Sequence, residues 1–340
     1  MKTLRIFSKP NFAWLGTFIA IFLLLTLGVS TGLISRVHQQ TLITIFINII
    51  LAIGLNLIVG FSGQLALGHA GFMAIGAYAT GIITRQTPTL GGFFLSLLVG
   101  IIISGIVAFL VGYPTLRLTG DYLAIATLGV GEIIRVAILN MPDLTNGAAG
   151  LSGIPISLMD WNFSYFLMIF VVLVVANYVN SSQGRATIAV REDEIATSSL
   201  GLNTTRLKVQ AFVLGAMTAA VGGSIHASYL GVINPGQFTF DRSIDILIIV
   251  VLGGIGSLTG TTVAAIVLGI VNLYLQQFGA WRMIIYAFVL ILIMIFKPSG
   301  LLGNYEFKWS KLFERDDNLP IDKVADDERK LGSYESIKSK

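Results

Sequence analysis

A charged stretch near the middle of the chain, residues 182–208, most strongly limits how this protein folds. Long apolar runs lie on both sides of it, and it carries seven charged residues: Arg185, Arg191, Glu192, Asp193, Glu194, Arg206 and Lys208. A charged side chain at the centre of a bilayer costs at least about 2.5–3.5 kcal/mol, so this stretch cannot face lipid. We expect it to lie in water between two membrane-embedded parts of the chain, and we call it the central loop.

The central loop also shows a weak helical pattern. Ile188, Ile195 and Leu202 recur at seven-residue spacing, with an alanine directly after each isoleucine. This spacing predicts a thin apolar stripe on one polar helix or on a pair of short helices. Two interpretations stay open, a charged connector and a docking surface for a cytosolic partner. The docking surface is favoured because a solvated connector needs no apolar stripe.

The composition assigns the rest of the chain to a membrane. Of its 340 residues, 54% are hydrophobic and only 12% are charged, whereas a soluble domain has about 25% charged residues. The net charge of +4 does not indicate nucleic-acid binding, since the basic residues fall at the ends of apolar segments. The chain has no cysteine, which excludes disulfides and thiol chemistry.

Apolar segments of nearly membrane-spanning length follow one another along the chain. They predict an all-α fold, a polytopic membrane helix bundle with about ten transmembrane helices. We expect the first to be an uncleaved helix, because it is longer than the apolar core of a signal peptide and no Ala-x-Ala site follows. The segments are approximately 12–34, 41–60, 65–84, 93–113, 121–140, 161–179, 207–231, 243–258, 261–278 and 281–297.

Two of these segments fit either a clean span or a broken, re-entrant helix. Segment 65–84 is dense in glycine and alanine, and segment 243–258 is short and ends in a glycine-rich run. With a cytosolic N-terminus, ten crossings put the central loop and the C-terminus in the cytosol, together with 17 of the 22 Lys and Arg residues. The predicted domains are a transmembrane domain over 1–303 and a soluble cytosolic tail over 304–340, a candidate for disorder.

The segment 55–72, which we call the glycine-rich segment, brings polar side chains to membrane depth or its edge. These are Asn56, Ser62, Gln64 and His69. Polar groups at that depth either hydrogen-bond between helices or line a wet cavity, and both interpretations stay open. If the segment is a broken helix, these four residues are candidates for lining a solute pathway.

Other residues indicate packing. Gly215, Ala219 and Gly223 recur every four positions and predict close helix–helix contact. Glu132 and Arg135 are three residues apart, which predicts a structural ion pair on one helix face. Asp245 is expected near the outer surface, just inside its helix.

Several stretches resemble, in the same order, the signature segments of permease subunits in branched-chain amino acid ABC importers. Together they span the part of the chain between residues 55 and 300. They are 60–78 (GFSGQLALGHAGFMAIGAY), 120–135, 144–154, 184–203, 234–240 (NPGQFTF) and 250–260 (VVLGGIGSLTG).

The resemblance implies a function and partners. The chain would be a multi-pass protein of the bacterial plasma membrane, forming half of the translocation pathway for amino acids of the Leu, Ile and Val type. Its partners would be a second permease subunit in a heterodimer, two cytosolic ABC ATPase subunits and an extracytoplasmic amino-acid-binding protein. Two alternatives stay open: a permease for urea or short amides with the same architecture, and a self-sufficient secondary transporter.

The resemblance further implies that the central loop holds the coupling helix, which docks in a cleft of the ATPase. Importer permeases often carry Glu-Ala-Ala-x-x-x-Gly there, and this chain has Glu194-Ile-Ala196 with Gly201 one position later than that pattern. A glycine there lets the chain turn sharply after the docked helix, because it adopts a positive φ at little cost. The offset leaves the roles of single residues open. The candidate coupling residues are Arg185, Ile188, Arg191, Glu192, Glu194, Ile195 and Gly201.

Motifs for chemistry are missing from the sequence. It contains no Gly-Lys dipeptide, and hence no nucleotide-binding phosphate loop. Its three histidines form no His-Glu-x-x-His motif, and the Gly-x-Ser-x-Gly match at 28–32 lies in an apolar helix with no hydrolase context. We therefore expect no enzyme activity, cofactor or metal in this chain, with ATP hydrolysis confined to its partners.

Overall fold

The computed structural model describes residues 9–32, 34–116, 118, 120–156 and 160–275, together with scattered positions between 278 and 303. The predictions for the basic leader, most of segment 281–297 and the tail 304–340 fall outside the described residues. Helix α1 (Lys9–Ser30) is apolar and belongs to a unit separate from residues 32–306. The all-α prediction is confirmed for the described part of the chain.

Eleven further helices follow in the described part of residues 32–306. They are α2 (Arg36–Asn56), α3 (His69–Gln86), α4 (Leu90–Thr115), α5 (Asp121–Leu139), α6 (Pro142–Thr145), α7 (Trp161–Asn180), α8 (Ser182–Glu192), α9 (Glu194–Ser199), α10 (Thr204–Leu230), α11 (Phe240–Gly253) and α12 (Leu258–Leu275). A π-helical turn, Leu57–Phe61, continues α2. Two short strands, β1 (Leu151–Ser152) and β2 (Val232–Ile233), pair in antiparallel register.

Among the described residues, six helical stretches are long and apolar enough to cross a bilayer. They are Arg36–Phe61, Leu90–Thr115, Asp121–Leu139, Trp161–Asn180, Thr204–Leu230 and Leu258–Leu275. Helices α3 and α11 are outside this group, and they lie within the two segments for which the sequence left a clean span and a broken helix open. Helix α11 has 14 residues, about 21 Å of rise, which is shorter than the roughly 30 Å hydrocarbon core of a bilayer. Ten crossings therefore remain a prediction.

Close contact between α10 and α3 forms the centre of the bundle. A Cβ placed on Gly76 of α3 would lie 2.0 Å from the carbonyl oxygen of Ala220, and one on Gly223 would lie 1.9 Å from that of Met73. No side chain larger than hydrogen fits at either position. The packing role predicted for the small-residue stripe of this helix is confirmed at Gly223, where the backbones touch.

Helices α4, α5 and α7 face outward over much of their length. Their large apolar side chains are exposed, as Leu110, Ile125 and Phe170 illustrate. In a membrane protein such surfaces contact lipid or another subunit, whereas α2 and α10 are mostly buried.

The connections collect at two ends of the 32–306 unit. At one end the central loop lies beside residues 57–68 and 254–257, and we call this the central-loop end. At the other, the hairpin end, the last turns of α3 approach β1 and β2: a Cβ on Gly81 would lie 3.1 Å from Leu151 Cδ1 and 3.3 Å from Ile233 Cδ1. In the ten-crossing topology predicted from the sequence, all loops at one end lie on the same side of the membrane.

Candidate functional site

The central loop folds as two short helices, one of the two forms that its spacing predicts. Helix α8 ends where Asp193 adopts an extended conformation, and the Asp193 carboxylate then accepts a hydrogen bond from the Ala196 N–H at 2.9 Å, capping α9. Asn203 caps α10 in the same way, through the Arg206 N–H at 2.9 Å. Between them Gly201 has φ +81° with no atom near its missing Cβ. The left-handed turn predicted there is confirmed.

Exposed apolar side chains concentrate on the second half of the central loop. Ile195 is 79% exposed, Leu200 81% and Leu202 42%. Ile188, on α8, is half-buried instead. The seven-residue stripe is therefore split between two surfaces, because the bend at Asp193 turns α9 away from the face of α8 that packs on the bundle. Leu200 lies outside the spacing, so the sequence pattern missed it.

Arg191 joins the central loop to the bundle. Its Nη1 donates a hydrogen bond to the carbonyl oxygen of Gly60 at 2.6 Å. Its stem runs past Gly63, where a Cβ would lie 2.8 Å from Arg191 Cγ, and its guanidinium reaches Gly256, where a Cβ would lie 2.8 Å from Nη1. Gly63 and Gly256 thus leave room for this one side chain, and Gly60 accepts its hydrogen bond, between two interruptions of the helical backbone.

The other candidate coupling charges bind within or beside the loop. Glu192 pairs with the Arg191 guanidinium, and Glu194 accepts a hydrogen bond from Lys208 Nζ at 2.6 Å. Arg185 donates through Nη1 to the Asn180 carbonyl oxygen at 2.7 Å. Of these charged side chains, Arg191 is the one bonded to the distant glycine-rich segment.

The glycine-rich segment breaks the helical path between α2 and α3. Residues 62–68 have no helical structure, and Gly63 adopts φ +70°. A second break separates α11 from α12, where Gly254 and Gly256 have φ values of +112° and +86°. The breaks fall beside the start of segment 65–84 and near the end of segment 243–258, the two segments for which the sequence left a broken helix open.

Asn56 fastens the two breaks to each other. Its Nδ2 donates to the Ser257 carbonyl oxygen at 2.9 Å and to Thr261 Oγ1 at 2.7 Å. Its Oδ1 accepts the Gly256 N–H at 2.9 Å. The side chain is fully buried, and this geometry is hydrogen bonding between helices, the first of the two interpretations given for this segment.

Ser62, Gln64 and His69 lie in the same region and are 2%, 3% and 2% exposed. Gln64 Nε2 donates to Ser62 Oγ at 2.8 Å. Within the described residues, Gln64 Oε1 and both ring nitrogens of His69 have no hydrogen bond of good geometry, although the Leu51 backbone lies near the ring. Buried polar atoms rarely stay without a hydrogen-bond partner. We therefore expect these three atoms to gain one when another molecule binds or when the segment changes conformation.

The predicted ion pair on α5 is confirmed. Arg135 Nε donates to both carboxylate oxygens of Glu132, at 2.9 and 3.0 Å. The pair lies on the outward-facing helix α5.

A cavity of about 290 Å³ lies among α2, α11 and α12 and the end of α10. Its polar lining was largely missed from the sequence, apart from the note on Asp245, although Gln40, Thr44 and Asn48 recur every four residues in an apolar helix. None of the four candidate pathway residues of the glycine-rich segment lines it. Its polar lining residues are Gln40, Thr41, Thr44, Asn48, Tyr229, Arg242, Asp245 and Asn272.

Comparison with known proteins decides the family. Residues 38–294 match the family described as branched-chain amino acid transport system, permease component. The chain belongs to this family. It is a multi-pass membrane protein of the bacterial plasma membrane, as the resemblance in its sequence predicted.

Named relatives agree with this assignment. The high-affinity branched-chain amino acid transport system permease protein LivM of Salmonella typhimurium is 36% identical over 260 residues, covering 67% of this chain and 61% of LivM. BraD of Pseudomonas aeruginosa is 35% identical over 164 residues, 47% of this chain and 52% of BraD. LivH of Escherichia coli is 34% identical over 143 residues, 42% and 46% of the two chains. The chain thus spans less than two thirds of LivM, and no solved structure matches it.

Proposed function

We propose that this chain is the permease subunit of an ATP-driven importer and forms half of the translocation pathway for branched-chain amino acids. Its partners are a second permease subunit, two cytosolic ABC ATPase subunits and an extracytoplasmic amino-acid-binding protein. Residues 1–303 form the membrane domain, and 304–340 form a cytosolic tail. Relatives named as branched-chain amino acid permeases support the cargo class.

One observation carries the coupling role: large apolar side chains protrude from a loop that is otherwise polar. Ile195 and Leu200 are each about four-fifths exposed, and Gly201 turns the chain sharply behind them. A few large apolar side chains that enter a partner's pocket provide most of the binding energy of a small interface. In this proposal α9 and the Leu200 turn dock on the ATPase, and α8 anchors the loop on the bundle.

The contacts of Arg191 supply a route for movement. A shift of the docked loop pulls on the Gly60 carbonyl and presses on Gly256, which belong to the two helix breaks. Glycine backbones at positive φ accept large changes of conformation at low cost, so these breaks are suitable hinges. Because Asn56 ties the breaks together, α2, α3, α11 and α12 move in concert.

The candidate pathway residues lie next to these hinges. Ser62 and Gln64 are in the first break, and His69 begins α3 directly after it. In the proposed cycle the break opens, and Gln64 Oε1 and the His69 ring then form hydrogen bonds of good geometry, which they do not make within the described residues. A passing amino acid or its water shell supplies the partner groups.

Reconstitution tests the proposal. The chain is assembled with its partner permease, the ATPases and the binding protein in proteoliposomes, and uptake of labelled leucine is measured. We expect uptake to require two things: the loaded binding protein, and ATP on the side of the membrane where the ATPases lie. Uptake by this chain alone, driven by an ion gradient, would establish the secondary transporter instead. Transport of urea but not leucine would establish the alternative cargo.

A further inference from the structure

The cavity begins with a polar stripe on α2. Gln40, Thr44 and Asn48 recur every four residues and so share one face of a helix that is otherwise apolar. Polar side chains inside a membrane helix are costly unless they face protein or water. Here they face α11 and α12 across the cavity.

The wall opposite this stripe carries two opposite charges. Arg242 and Asp245 are one turn apart on α11, and both line the cavity. Asn48 Oδ1 accepts a hydrogen bond from Arg242 Nη2 at 2.9 Å, which positions the guanidinium against α2. The cavity therefore presents a cation and an anion about one helical turn apart.

Aliphatic side chains form another part of the lining. Ile45, Ile249 and Leu268 are buried and form part of the cavity wall. At about 290 Å³ the space lies at the lower limit of the roughly 300–1,000 Å³ that ligand pockets span, which suits one small molecule and not a peptide. Its chemistry combines a carboxylate binder, an ammonium binder and an apolar wall.

The cavity is also at the opposite end of α2 from the helix breaks. Asn48 precedes Asn56 by eight residues, about 12 Å along the helix, and Gln40 is a further 12 Å away. The charge distribution assigns this end to the outer side of the membrane. A solute arriving from outside meets the cavity before it meets the breaks.

We infer that this cavity is a transient subsite for a free aliphatic α-amino acid, in which Arg242 binds the carboxylate and Asp245 the ammonium group. Ile45, Ile249 and Leu268 contact the aliphatic side chain. The subsite rests on the proposed function. It adds a place in the permease itself where the carboxylate and the ammonium group of the amino acid are both recognised. Binding there is weak, about millimolar, since a site on a translocation path must also release its solute.

Protection of a single cysteine tests the subsite. The chain has no native cysteine, so Thr44→Cys in the assembled complex gives one thiol in the cavity. A membrane-impermeant thiol reagent is added from outside, and labelling of this chain is followed by mass spectrometry. Leucine at ten times its Kd should slow labelling about tenfold, by simple occupancy. Leucinol, which lacks the carboxylate, and 4-methylpentanoate, which lacks the ammonium group, should not.

Matched variants assign the protection to the two charges. Asp245→Asn and Arg242→Gln, each combined with Thr44→Cys, should abolish protection by leucine. Asp241→Asn, on the first turn of the same helix but outside the cavity lining, should retain it. A control cysteine at Val232, exposed at the hairpin end, should be labelled at the same rate with and without leucine. ATPase stimulation by the loaded binding protein checks that each variant is assembled.

A zwitterionic lipid headgroup carries the same two charges, so vesicles of phosphatidylglycerol are compared with vesicles that also contain phosphatidylethanolamine. Protection by phosphatidylethanolamine but not by leucine overturns the amino-acid subsite. So does equal protection by leucine in the charge variants, or absence of protection in a complex that imports leucine. Failure of the complex to import leucine at all overturns the proposed function, whereas protection by leucine in that complex still supports the subsite.

Discussion

The central loop and the glycine-rich segment are in contact through Arg191, but they distribute polar and apolar side chains in opposite ways. In the loop, which is polar, Ile195 and Leu200 extend outward with about four-fifths of their surface exposed. In the glycine-rich segment, which lies between apolar helices, the polar side chains of Gln64 and His69 are almost completely buried. Each region therefore keeps side chains in the environment that is less favourable for them.

The difference shows what each region lacks in the isolated chain. Exposed isoleucine and leucine on a short helix are stabilised when another protein covers them. A buried amide oxygen and imidazole nitrogens without a well-aligned hydrogen bond are stabilised when the backbone around them rearranges or a solute arrives. In the function that we propose, a partner completes the first region, a conformational change completes the second, and Arg191 links the two.

The largest effect is expected from filling the contact between the two breaks. In Gly60→Ala the new Cβ would lie 1.9 Å from Asn56 Oδ1 and 2.4 Å from the Gly256 nitrogen, so backbone must move. Overpacking of this kind costs about 1–3 kcal/mol or more. A lower melting temperature of the purified chain in detergent would measure it.

Gly129→Ala is the matched control, because Gly129 lies within α5 and its added Cβ meets no atom within 4 Å. There the substitution should be neutral or stabilising by up to about 1 kcal/mol. If Gly60→Ala and Gly129→Ala were equally stable, the two breaks would be loosely packed. The contrast between the tightly buried glycine-rich segment and the exposed central loop would then be lost.

The next largest effect concerns the exposed apolar pair. Ile195→Ala combined with Leu200→Ala should cost at least about 2 kcal/mol of ATPase docking, or roughly 30-fold in affinity, if both are interface anchors. Uptake and substrate-stimulated ATP hydrolysis should fall together. Gln183→Ala, an exposed polar position on α8, serves as the control and should change neither. Normal docking and uptake in the double variant would reduce the central loop to a connector.

Breaking the link should separate hydrolysis from transport. Arg191→Gln removes a charge-assisted hydrogen bond to Gly60, worth about 1.5–3 kcal/mol. We expect the ATPases to bind and hydrolyse ATP while uptake per ATP falls several-fold. Arg206→Gln, at an exposed position on the first turn of α10 and outside the candidate coupling residues, serves as the control and should keep the coupling ratio. A normal ratio in Arg191→Gln would mean that the two regions act independently.

The smallest effect on stability is expected at the buried polar side chains. Gln64→Leu removes one hydrogen bond, to Ser62, and costs about 0.5–1.5 kcal/mol at most, while His69→Leu removes none of good geometry. Assembly with the partner subunits should therefore persist in both variants. Uptake of labelled leucine should nevertheless fall. Should both transport normally, these residues serve interior packing.

Much of the fold followed from local sequence features. Apolar length predicted the helices, and Gly201 was identified as the left-handed turn after the docked helix, where its φ is +81°. The ion pair of Glu132 and Arg135 followed from their spacing alone, since residues three apart on a helix are neighbours in any fold. These features depend on a few consecutive residues, which is why the sequence could determine them.

Tertiary packing decided the rest. Arg191 reaches Gly60 across 131 positions of sequence, and Asn56 reaches Gly256 across 200. The bend at Asp193 exposed Ile195 and Leu200 and left Ile188 half-buried, which no seven-residue spacing could specify. The cavity exists because α2 packs with its polar stripe facing Arg242 and Asp245 of α11. Hydrophobic periodicity shows which residues avoid lipid, but the close packing of particular helices determines which polar groups then meet.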